Sequence, residues 1–183
     1  MSFPETTQIV SGPIPDEYGN ACFVVQVGDR SVDAFASADG CAVREADFDV
    51  GSQVMNAVSN FRRHAPEKVL SCLCEAATLR RRAGHPTELE VPIPDSMHVR
   101  PDPDVRDRGV RFTVDVGPSS VGVLVTGDGA IIDCYDLLHH PTGEVQPEGL
   151  LAARRAVLDF VLAHPGHASA WGIDCQLLDL LWN

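Results

Sequence analysis

The sequence predicts an α+β protein in which a β-β-β-α unit occurs twice in tandem. Mostly antiparallel strands form one sheet or two, helices pack on one face, and a pseudo-two-fold axis relates the halves. Three observations carry this. Pro13-Ile14-Pro15-Asp16 returns as Pro92-Ile93-Pro94-Asp95. Under a shift of about 89, Phe23, Val25, Val27, Gly28, Ser31, Val32, Asp39, Gly40 and Asp47 meet Phe112, Val114, Val116, Gly117, Ser120, Val121, Asp128, Gly129 and Asp136. Unrelated segments of this length share roughly two identities. Further on, Val58, Phe61 and Pro66 meet Val157, Phe160 and Pro165. The repeat divides the chain into residues 1–84 and 85–183.

Each copy opens with a short extended segment, Thr6 to Val10 and Glu88 to Val91, followed by the shared proline tetrapeptide as an extended edge. Cys22 to Val27 and Arg111 to Val116 are strand-like, and both end in Gly. Val32 to Ser37 and Val121 to Thr126 come next, closed by Asp39-Gly40 and Asp128-Gly129, a strong hairpin signal between β-rich runs. Cys41 to Phe48 and Ala130 to Leu138 complete the strands. A helix follows in each copy. Ser52 is a plausible N-cap for the first, with Val54, Val58 and Phe61 facing inward and Pro66 ending it. Pro147-Glu148 opens the second, and Pro165 stops it. Lys68 to Leu79 fits a further helix, and Ala168 to Cys175 a short buried strand running into 176–182. Five prolines and no periodicity mark 83–109, where residues 95–109 are expected to be a surface loop.

Charge sets the function classes. With 14 basic and 26 acidic residues the formal net charge is −12. Such a surface repels phosphate backbones, so direct binding to duplex nucleic acid is not expected. No apolar run is long enough for a membrane span, and Met1-Ser2-Phe3-Pro4-Glu5 lacks the pattern of a secretory leader. Six dispersed cysteines then fit a reduced, cytoplasmic protein with buried thiols. Walker loops, dinucleotide fingerprints, nucleophile elbows and His-Glu-x-x-His are all absent from the sequence. His139-His140 and His164 with His167 follow different elements and are not expected to converge on a metal.

Phe112-Thr113-Val114-Asp115-Val116-Gly117-Pro118-Ser119-Ser120-Val121-Gly122-Val123 puts an Asp in mid-strand ahead of a tight turn of Gly and hydroxyl residues. Residues 110–175 resemble, in this respect, the ribonuclease H-like superfamily. In its nucleases a first-strand carboxylate and one on the neighbouring fourth strand hold divalent ions. The resemblance therefore implies Asp115 and Asp174 as ligands of Mg²⁺ or Mn²⁺ in a phosphodiesterase or nuclease. Gln26 stands where Asp115 does in the other copy, so such a site belongs to the second half alone.

The residues taken together point first to a non-catalytic module with neither cofactor nor metal, an inhibitor or immunity-type protein that covers a basic partner surface. Its expected contact groups are acids near hairpin tips and in the inter-copy loop: Asp39, Glu45, Asp47, Asp49, Asp102, Asp104 and Asp128. Trp171 and Trp182 are the candidates for an apolar anchor. The metal-dependent nuclease is the alternative, and a homodimer through a sheet edge stays open.

Overall fold

A computed structural model describes residues 6–106, 109–134 and 145–183, without the side chains of 103–106 and 133–134. The protein is mixed α+β, with two four-stranded antiparallel sheets and five helices among those residues. It divides into two compact units, Met1–His85 and Pro86–Asn183.

The first unit is a meander of β1 (Thr7–Pro15), β2 (Ala21–Val27), β3 (Arg30–Ala36) and β4 (Cys41–Val43), in that spatial order. Strand alternation sorts its residues by face. Ala21, Phe23, Val25 and Val27 are buried, as are Val32, Ala34 and Ala36. They lie beneath α1 (Phe48–His64), which contributes Val50, Val54 and Val58, and α2 (Pro66–Ala83), which contributes Val69, Leu73, Ala76 and Ala77. Phe61 meets Phe23 edge-on, with ring centroids 5.5 Å apart. The N-cap of α1 is Asp47, whose carboxylate accepts from the Val50 N–H, and not Ser52, which lies inside the helix. Pro66 stops α1 and opens α2, since the first helical position needs no N–H donor.

The second unit repeats the meander with β5 (His98–Arg106), β6 (Gly109–Val116), β7 (Ser119–Val125) and β8 (Ile131–Cys134). Val110, Phe112, Val114, Val121, Val123 and Val125 make its buried face. Over it lies α3 (Pro147–Ala163), with Phe160 edge-on to Phe112 at 6.0 Å. The tail is helical: α4 (Pro165–Ala170), a turn at Gly172, then α5 (Cys175–Trp182). The Trp182 indole N–H donates to the Gly129 carbonyl at 2.8 Å, and a Cβ on Gly129 would press on Leu181 and Leu177. Ahead of β5, Leu89 is fully buried and Glu88 pairs with the Arg154 guanidinium at 2.8 Å. That guanidinium lies over the Trp182 ring, 5.3 Å from its centroid.

Three expectations are corrected. Residues 95–109 are not a surface loop but carry β5, while Glu88 to Val91 forms no strand. Strand β5 lies at the edge of its sheet, where prolines such as Pro101 and Pro103 are tolerated. Residues 168–175 are not a strand, because Ala168 and Ala170 continue the helix that Pro165 opens. The repeated tetrapeptide does not mark matching places. Pro13-Ile14-Pro15 ends β1, with Ile14 opposite Cys22, whereas Pro92-Ile93-Pro94 precedes β5. The position matching Ile14 is Asp102, opposite Arg111, which lies between Pro101 and Pro103 as Ile14 lies between Pro13 and Pro15.

Candidate functional site

The acidic residues fall into two kinds. Asp39 and Asp128 brace the β3–β4 and β7–β8 turns, accepting from the hydroxyls of Ser37 and Thr126. Asp47 caps α1 and pairs with Arg30 at 3.0 Å; the Val50 N–H and Arg30 hold its carboxyl below the usual range. Asp102 faces Arg111 across the β5–β6 ladder, and the Asp104 side chain lies outside the described residues. Glu45 and Asp49 are exposed on either side of Asp47. Between Asp47 and Asp49, Phe48 is 86% exposed at the first position of α1.

That ring is an exposed aromatic that composition did not locate. Trp182 is buried, and Trp171 packs edge-on against Phe112 at 5.6 Å. An Asp-Phe-Asp triplet at a helix start was the available signal. Helical periodicity places Phe48 one turn ahead of Gly51 and Ser52, off the Val50–Val54–Val58 stripe.

A second feature is a concavity of about 470 Å³ on the first sheet's outer face. Ile14, Cys22, Val24 and Phe35 supply apolar surface, and Asp16, Tyr18, Asp33 and Arg44 line it too. The β1–β2 turn is held by Asp16, which accepts from the Tyr18 and Asn20 N–H groups and from the Asn20 side-chain amide, at 2.8 to 3.0 Å. Burial raises the Asp16 pKa, but these donors outweigh it and leave the carboxyl below its ordinary value. Burial, then the Asp16 charge, pushes the Cys22 thiol up to about 11, so it is neutral at physiological pH. Tyr18 is 62% exposed and stacks on His85 at 4.7 Å.

The two carboxylates of the nuclease alternative serve separate local structures. Asp115, on β6, accepts from Ser120 at 2.8 Å and pairs with Arg100 at 2.7 Å. The Ser120 hydrogen bond and Arg100 keep it below the usual carboxyl range against a small opposing burial effect. Asp174 is the N-cap of α5 and accepts from the Gln176 and Leu177 N–H groups. Among the described residues no group of three His, Cys, Asp or Glu side chains is placed to hold a metal ion. His164 and His167 are exposed and stack in parallel at 5.9 Å; His139 and His140 lie outside the described residues. None of the described helices is long and apolar enough to cross a membrane. Comparison with protein-family models, curated proteins and solved structures found no significant match.

Proposed function

We propose that this chain is an acidic, non-catalytic protein-binding module of inhibitor or immunity type that covers a basic surface of its partner. The observation that carries the reading is Phe48, an aromatic ring 86% exposed and set among Glu45, Asp47 and Asp49. An exposed aromatic flanked by carboxylates combines an anchor with long-range steering. The formal charge of −12 extends that steering over the whole surface. The nuclease alternative has less support, because Arg100 and Ser120 already engage Asp115 and the start of α5 engages Asp174. The reading includes descent of both units from one module. Its support is the shared strand order, the Phe23–Phe61 and Phe112–Phe160 pairs, and the Ser/Thr–Asp turns.

The test starts from a partner recovered by crosslinking in the source cell and purified. Its association rate should fall at least tenfold between about 0.05 and 0.5 M salt, because the Debye length shrinks below the approach distance. Glu45→Lys with Asp49→Lys should slow association, and Phe48→Ala should speed dissociation. A rate that ignores both salt and these substitutions overturns the reading.

A further inference from the structure

The two sheets share a register, and that register shows what is unusual about the first. Opposite Cys22 on β2 stand Ile14 and Phe35; at the matching places around Arg111 stand Asp102 and Leu124. Val24 pairs with Asp33, where the second unit has Thr113 with Gly122. Gln26 takes a hydroxyl from Ser31, as Asp115 does from Ser120, both at 2.8 Å. Three of these places, occupied by Ile14, Cys22 and Val24 in the first unit, carry Asp102, Arg111 and Thr113 in the second. An outer sheet face turned to water has the second composition. The first unit instead keeps Ile14 55% exposed over an open concavity.

We propose that this groove docks a segment of the partner that presents an apolar side chain next to a Lys or Arg, an inference that rests on the binding function above. The apolar side chain sits on Ile14, Val24 and Phe35. The cation is set by charge. Asp16 is held ionised at one end by its three N–H donors, Asp33 lies exposed on the floor, and Arg44 is the single Lys or Arg among the lining residues. The open face of the Tyr18 ring, braced from behind by His85, adds cation–π attraction at the Asp16 end. The neutral Cys22 thiol leaves the floor between them without charge.

The probe is a short peptide alternating Leu and Arg, titrated against the full chain and followed by backbone amide NMR. Peptides alternating Ser with Arg and Leu with Glu are the controls. The Leu–Arg peptide should bind best and shift amides of β1, β2 and β3. Ile14→Asp and, separately, Val24→Thr import the second unit's composition and should each weaken it about tenfold, with unchanged thermal stability. Phe48→Ala should leave this affinity alone. Shifts confined to Glu45–Asp49, or equal binding of the Ser–Arg peptide, would overturn the groove while leaving the acidic module standing. Equal binding of the Leu–Glu peptide would overturn the groove's charge preference. Concentration-dependent self-association abolished by Ile14→Asp would also overturn it, since a second copy would then cover the face.

Discussion

The inner faces of the two sheets carry apolar residues at matching ladder positions, whereas their outer faces differ at three such positions. Inside, Phe23 and Phe112 hold the same register and meet Phe61 and Phe160 at 5.5 and 6.0 Å. Outside, one unit carries an apolar strip of Ile14, Cys22 and Val24, and the other carries an ion pair, Arg100 with Asp115 at 2.7 Å. The inner face answers to packing, which tolerates little change in volume. The outer face answers to whatever it meets. The difference between the units therefore separates what holds the fold from what the fold presents.

The largest expected effect tests the likeness. Phe23→Ala and Phe112→Ala should each destabilise their unit by about 3–5 kcal/mol, measured by urea unfolding. A cost below about 1 kcal/mol in either unit would break the parallel between the cores. Next comes the chemistry of the apolar strip. With its pKa pushed up to about 11, the Cys22 thiol should react with iodoacetamide at pH 8 at least about tenfold more slowly than a cysteine at the ordinary 9.0, the lost thiolate outweighing its greater nucleophilicity. Mass spectrometry of the labelled peptide reads this directly, and labelling at the free-thiol rate contradicts the environment described.

Smaller effects follow from the carboxylates. Asp16 and Asp115 both have folded pKa values below the ordinary 3.8. Protons then bind the unfolded chain more readily, so their stabilisation is complete above that value and disappears as pH falls through the folded pKa. Acid unfolding followed by circular dichroism should show a shallower loss in Asp16→Asn than in the wild type below about pH 4. Arg100→Ala, on the ionic face, should cost at most about 1 kcal/mol and nothing at high salt, as expected of an exposed pair. Millimolar Mg²⁺ or Mn²⁺ should leave the melting temperature unchanged. Stabilisation by either ion that vanishes in Asp115→Asn would return the ribonuclease H-like alternative to first place.

Much of this architecture could be read before any coordinates. Alternation along 21–36 and 110–125, Asp-Gly pairs at the turns, and the proline that ends each main helix are local signals with local causes. Register is not local. Pro92-Ile93-Pro94-Asp95 matched the first tetrapeptide letter for letter, yet the strand that pairs with β6 begins three residues later. Pro101-Asp102-Pro103-Asp104 concealed its role because Asp replaces Ile, the very change that distinguishes the outer faces. Cys22 to Val25 is apolar at both parities, so only Gln26 further on tells the buried side from the groove. The tail misled for a different reason: a short apolar run fits either helix or strand until its neighbours are known.

The stretch from Pro86 to Met97 has neither strand nor helix, and dissection of the gene guided by regular structure alone would leave it out. Leu89 is nevertheless fully buried, and Glu88 pairs with a guanidinium sunk beside Trp182. A fragment starting at Ser96 would lack both the buried Leu89 and the carboxylate that meets Arg154. The natural seam of this chain is the bond between His85 and Pro86, well upstream of the point where the next strand resumes.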